Sequence, residues 1–211
     1  WWYRHTLQPA LDRAKTTQSP QGEYAFFLEN KPQEIPGRLV QALPIEQARQ
    51  LAGKQFTLGA WMWASRQVDV RSPELYVFAR GKGYSNTITL TTEPQFFAFS
   101  TLLGRDTIRS WIILDPTKAP QAQPLEVYYD GLVLVEGAFP INVAPEFTSP
   151  AAESGTWVGI PFNNLIRNAS AEDAWPRVNP WVDALVERLL PGTGFERLSL
   201  TLYSVLDSPG V

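Results

Sequence analysis

The sequence predicts an all-β fold, an antiparallel β-sandwich, and three observations carry that prediction. Residues 54 to 64, KQFTLGAWMWA, alternate over their whole length, with Phe56, Leu58, Ala60 and Met62 on one side and Thr57, Gly59, Trp61 and Trp63 on the other. Successive strand side chains point to opposite faces of a sheet, so this is a strand covered on both faces or one that uses its second face to bind. Composition is the second observation: eight Trp, 18 Pro, 14 Gly and only 18 % charged residues suit short strands joined by tight turns. The third is rhythm. Turn signals recur about every dozen residues, and no long helical pattern separates the strands, which argues against parallel βαβ units.

Residues 1 to 21 form an N-terminal extension, with a short helical pattern at ALDRA followed by a polar loop, KTTQSPQG. The predicted sandwich spans 22 to 137. Its eight strands are YAFFLE at 24–29, GRLVQAL at 37–43, the stretch at 54–64, ELYVFA at 74–79, TITLT at 87–91, QFFAFSTL at 95–102, IRSWIIL at 108–114 and LEVYYDGLVLVEG at 125–137. One helical turn is expected in PIEQARQLAG, SRQVDVRSP reads as turn-rich, and the glycines of RGKGYSN mark a hairpin-type loop. Residues 138 to 156, rich in Pro, Ser and Ala, read as a linker or crossing loop. A C-terminal extension, 157 to 211, carries an extended stretch, a short helix from Asn179 to Leu190 stopped by Pro191 and Gly192, and a final strand at 197–206.

Several classes of function are disfavoured. A net charge of −3 without a basic run gives nucleic-acid binding no counterion-release term, so no nucleic-acid partner is expected. With no cysteine there is no disulfide framework, thiolate site or cysteine nucleophile. His5 is the single histidine, which removes a Ser-His-Asp arrangement. Asp69, Glu74, Asp106 and Asp115 are scattered among loops and strand ends rather than paired as a glycosidase would need. No apolar run nears the roughly 20 residues of a membrane helix. Trp1, Trp2 and Tyr3 before Arg4 nevertheless have the character of an aromatic belt beside a membrane segment in a longer parent chain; the alternative is a boundary drawn through a core strand.

Three segments, GRLVQALP at 37–44, GKQFTLGAWMWA at 53–64 and LEVYYDGLVLVEG at 125–137, resemble the β-jelly-roll carbohydrate-binding modules of the galactose-binding-like superfamily. In those modules a Q-x-x-P strand end leads into an F-T-L-x-A-W strand, and the last strand reads Y-x-D-x-x-x-L. A fourth segment, NLIRNASAE at 164–172, is similar to their opening strand but is displaced to follow the others. It is expected to complete the same sandwich, because a fifty-residue remainder would bury too little to stand alone. LIRNASAEDAWP, with the N-terminal aromatics, also resembles extracytoplasmic portions of bacterial membrane glycosyltransferases.

The resemblance implies a non-catalytic module, placed outside the cytoplasm and tethered to a membrane, that recognises glycan by stacking. Trp61, Trp63, Trp111, Tyr76 and Tyr128 are the candidate stacking rings, with Gln41 and Arg109 to bond hydroxyls. It also implies a structural calcium on Asp130, with Glu23, Glu29 and Glu172 as candidate partners, toward the six to eight oxygens calcium takes. Two plainer readings stand beside these. The rings fill a core in a structural or protein-interaction domain without ligand, and Asp130 bonds local turn amides.

Overall fold

A computed structural model describes residues 2–4, 13–32, 38–77, 81–105, 107, 109–117 and 122–172. These fall in one compact unit, 1–173; the predicted C-terminal helix and final strand belong to a second unit, 174–211, outside the described residues.

Two five-stranded antiparallel sheets form the sandwich. The first runs in the order β1 (Trp2–Arg4), β4 (Leu39–Ala42), β11 (Ser110–Leu114), β7 (Glu74–Val77) and β8 (Lys82–Tyr84). The second runs β10 (Gln95–Leu102), β5 (Gln55–Ala64), β12 (Leu125–Glu136), β3 (Tyr24–Asn30) and β2 (Arg13–Lys15). All eight predicted strands are present. A short helix, α1 (Ile45–Leu51), stands where one helical turn was expected, and β6 (Val68–Arg71) pairs with β9 (Thr87–Leu90) in a two-stranded ribbon.

The core follows from the alternation. Leu39, Ile112, Leu114 and Leu75 of the first sheet and Phe56, Leu58, Ala60 and Met62 of the second are all fully buried. Rings meet between the layers, with Phe56 edge-on to Tyr84 at 6.2 Å and Trp2 against Phe26 at 4.9 Å. Trp2 is 4 % exposed and its indole N–H donates to the Arg167 carbonyl at 3.1 Å. That places it in the core and corrects the aromatic-belt expectation for this residue. Arg13 and Ala14, at the end of the ALDRA pattern, are strand and pair with β3, while residues 10–12 lie outside the described residues.

Residues 138–156, expected as a linker or crossing loop, include short strands. They lead into a third sheet of β13 (Glu146–Phe147), β14 (Ser154–Trp157) and β15 (Ile160–Asn163), which covers part of the outer face of the second sheet. Trp157 is fully buried there with Val133 and Val135, and Phe96, Ala98, Phe139, Phe147 and Phe162 pack round it. Composition misled because a short-stranded cover is itself built from turn residues.

Segment 164–172 forms no strand of either sheet, but it bonds to β12 through its main chain and Asn164. Beyond Asp130, β12 takes one extra residue before regaining register at Val133, a bulge made at Gly131, whose φ of +50° suits glycine. The β3 pairing ends at Tyr129, so the freed edge of β12 needs other partners. Leu132 N–H donates to the Ala169 carbonyl, Leu165 N–H to the Leu134 carbonyl, and Asn164 bonds both Leu132 and Leu134.

Candidate functional site

The sandwich has two outer faces, and they differ in what occupies them. On the second sheet, β5 and β12 set Trp61 opposite Asp130 and Trp63 opposite Tyr128. Trp63 is only 2 % exposed, stacked on Tyr128 with centroids 5.1 Å apart and planes 4° from parallel. Phe27 closes the other side of Tyr128 at 5.1 Å. Trp61 is half-buried, edge-on to Phe96, and a Cβ added at Gly131 would lie 3.2 Å from both its ring and that of Phe147. Trp63 is therefore core, and Trp61 sits at the margin of the three-stranded cover. Burial of Trp63 corrects its expected role as a stacking surface, while Trp61 stays half-buried. Tyr128 keeps partial exposure, but its hydroxyl donates to Glu126, and burial together with that carboxylate pushes its pKa up to about 12.

On the first sheet the arrangement is different. Four residues on adjacent strands lie in register across its outer face: Ala42, Trp111, Tyr76 and Gly83. The two rings are offset and parallel, centroids 5.8 Å apart and planes at 14°, and both are half-buried. Small residues at either end leave the pair standing above its row. The row behind it is Val40, Ile113 and Glu74. Glu74 is held by a 2.7 Å ion pair to Arg71, whose same nitrogen donates to Ser85. The Glu74 carboxylate lies over Gly83, where a Cβ would collide with it, and a Cβ at Gly81 would face the Tyr76 hydroxyl at 3.8 Å. Gly83 therefore gives the carboxylate its room, whereas a side chain at Gly81 would only touch the phenol. Arg109 stands one residue ahead of β11, on the alternation that carries Trp111 and Ile113.

Of the seven candidate ligand residues, then, Trp111 and Tyr76 come together, Arg109 precedes Trp111 by two positions, and Trp61, Trp63 and Tyr128 belong to the opposite side. Gln41 belongs to neither. It is 2 % exposed, points into the sandwich, and its amide bonds both the N–H and the carbonyl of Arg167, so its expected role toward hydroxyls is corrected. Its flanking Leu39 and Leu43 already marked that face as inward. Glu74 and Arg71 were not singled out for binding, although period two puts Glu74 on the Tyr76 side of its strand.

The carboxylates expected to hold calcium divide in the same way. Asp130 is fully buried and accepts from Ser19 Oγ at 2.6 Å, from Gln21 N–H at 2.7 Å and from Gly131 N–H at 2.7 Å. Glu172 Oε1 accepts from the N–H groups of Glu23 and Tyr24, and its charge lies close enough to act on Asp130. Burial pushes the Asp130 pKa up to about 7 against the pull of its three donors, and Glu172 raises it further. Ser19 Oγ also lies 3.1 Å from the carbonyls of both Gln21 and Tyr24. One hydroxyl proton cannot serve three acceptors. The turn is thus dense in hard oxygen, which is the donor type calcium takes. Glu23 instead pairs with Lys15 at the surface, and Glu29 lies opposite Glu126, roughly 13 Å along β12 from Asp130 at about 3.3 Å per residue. Neither carboxylate joins the oxygens of this turn, to which Glu23 contributes only its N–H. Among the described residues no three His, Cys, Asp or Glu side chains gather as a metal group, so carbonyl and hydroxyl oxygens would have to supply most of any shell.

Of the scattered carboxylates, Glu74 is tied to Arg71 and Asp69 accepts from Thr89, while His5 and Asp106 lie outside the described residues.

No protein-family model and no curated protein matches the chain. Several solved structures share its outline. A family 4 carbohydrate-binding module matches with a TM-score of 0.46 at 16 % identity, over 64 % of this chain and 94 % of that one. A family 61 module in complex with β-1,4-galactotriose gives 0.46 at 17 %, over 64 % and 88 %. The family 22 xylan-binding domain from Paenibacillus barcinonensis gives 0.44 at 8 %, over 68 % and 87 %. At this level of similarity nothing about ligand passes from those proteins to this chain.

Proposed function

We propose that the chain is a non-catalytic glycan-binding module whose ligand face is the outer side of the first sheet. The observation that carries this reading is the Ala42, Trp111, Tyr76, Gly83 row, two parallel half-buried rings flanked by small residues with the Glu74 carboxylate beside them. Sugar C–H faces pack on such rings, and a placed carboxylate accepts from hydroxyls; few polar groups on an apolar surface are what small-ligand recognition needs. The opposite face supports the same choice, because the third sheet already occupies part of it. Polymeric glycan is met outside the cytoplasm, so an extracytoplasmic location goes with the ligand. No helix among the described residues is long and apolar enough to cross a membrane.

Affinity electrophoresis against soluble xylan, galactan, β-glucan and pectin tests the reading. Trp111→Ala is expected to weaken binding by about 2 kcal/mol, roughly thirtyfold, as loss of a central aromatic anchor does. Tyr128→Ala, on the other face, is expected to leave affinity within about threefold. Equal losses from both variants, or no retardation by any polysaccharide, would return the rings to a purely structural role.

We also infer that the turn holding Asp130 and Glu172 takes a structural calcium. Its crowded oxygens and its buried carboxylate support that, and the Discussion gives its test.

A further inference from the structure

We propose, building on the glycan reading above, that the ligand is an anionic glycan, a uronate-bearing chain whose carboxylate is taken by Arg109 while its ring stacks on Trp111. Arg109 is half-buried and has neither a hydrogen-bond nor an ion-pair partner among the described residues. A guanidinium with no anion beside it keeps its N–H donors open to a ligand carboxylate, which it can bond twice. The other charges beside the rings do not offer the same opening. Arg71 and Glu74 neutralise each other across 2.7 Å. Asp115, further along the β11 segment, lies close enough to buried Tyr129 for its charge to raise that phenol's pKa. Arg109 therefore leaves the aromatic row locally positive in a chain whose net charge is −3. Such a patch concentrates anions and turns away cations.

The spacing suits a sugar acid. Arg109 and Trp111 are two strand positions apart, roughly 7 Å, so a long side chain beside the indole reaches the exocyclic carboxylate of a pyranose lying on that ring. A planar carboxylate accepts two parallel N–H bonds from a guanidinium, whereas a neutral hydroxymethyl group cannot. Arg109 thus selects for the acid, and Trp111 with Tyr76 binds the ring whether it is charged or not.

The test is calorimetric titration of the intact chain with oligogalacturonate, oligoalginate and glucuronoxylan oligosaccharides, each beside its methyl ester, which keeps the backbone and removes the charge. At least one acid is expected to bind roughly tenfold or more tightly than its ester, the size of one charge-assisted hydrogen-bonded contact, with the advantage shrinking at high salt. Arg109→Gln is expected to abolish that advantage, so that acid and ester bind alike, with the melting temperature unchanged. Trp111→Ala should weaken acid and ester alike. Acid and ester bound equally by the wild type, or a preference that survives Arg109→Gln, would overturn the anionic ligand and leave the glycan reading standing. Absence of binding to acids, esters and neutral polysaccharides together would remove both.

Discussion

Trp157→Ala is expected to cost about 3–5 kcal/mol of folding stability, the usual penalty for emptying a fully buried aromatic site. Trp157 sits at the centre of the cluster that joins the third sheet to β12. Its ring stacks on Phe139 at 5.1 Å, meets Phe96 edge-on at 5.8 Å and lies 6.3 Å from Phe162, while its N–H donates to the Val143 carbonyl at 2.7 Å. Truncation removes those contacts together and leaves Val143 without its donor. The loss should be local in origin. With the cover loosened, Trp61 on the second sheet gains water, so its fluorescence should shift to the red before the main unfolding transition. Urea denaturation followed by both fluorescence and circular dichroism checks this. Coincident, unshifted transitions would mean that the third sheet does not protect that face.

Asp130 is expected to make stability fall as pH rises from about 4 to about 7. The sign follows from linkage. Its folded pKa, pushed up to about 7, lies above the ordinary carboxylate value of 3.8, so the folded state binds the proton more tightly than the unfolded chain does. That contribution is fully present below the unfolded pKa and gone once pH passes the folded one. At about 1.4 kcal/mol per unit the swing is of the order of 4 kcal/mol, the buried cost of an ionised carboxylate with no cation beside it. Calcium should reverse the trend. It binds the ionised form, so the rise in melting temperature it causes should grow as pH climbs through 7. Asp130→Asn is expected to flatten the pH profile and remove the calcium effect. Chelation that leaves the wild-type melting temperature unchanged at pH 8 would rule out the ion at this turn.

The strands were legible because alternation is a local signal. Each of the eight predicted runs carries enough period-two pattern to identify itself without knowing its neighbours. The ribbon strand at 68–71 was missed because Val68 and Val70 are its only apolar residues, set between Arg, Gln and Asp. The site was half legible for a related reason. Periodicity put Trp61 with Trp63 on one face of their strand and Arg109 with Trp111 on one face of theirs, and the register of β5 against β12 keeps the first pair together. It could not tell which face the chain itself covers. That depends on β13 to β15, more than eighty residues after Trp63 and written in the Pro, Ser and Ala of an apparent linker. The turn around Asp130 was visible only as a family likeness. Its other members, Ser19 and the carbonyls of Gln21 and Tyr24, carry no sequence mark of what they do.

The most direct measurement is an NMR titration of the indole N–H signals with whichever oligosaccharide binds best, with Trp111→Phe used to assign the Trp111 signal. Trp111 is expected to shift in proportion to saturation while Trp63 and Trp157 stay in place. A shift at Trp61 or Trp63 with Trp111 unmoved would put the ligand on the other sheet and contradict the assignment of the binding face.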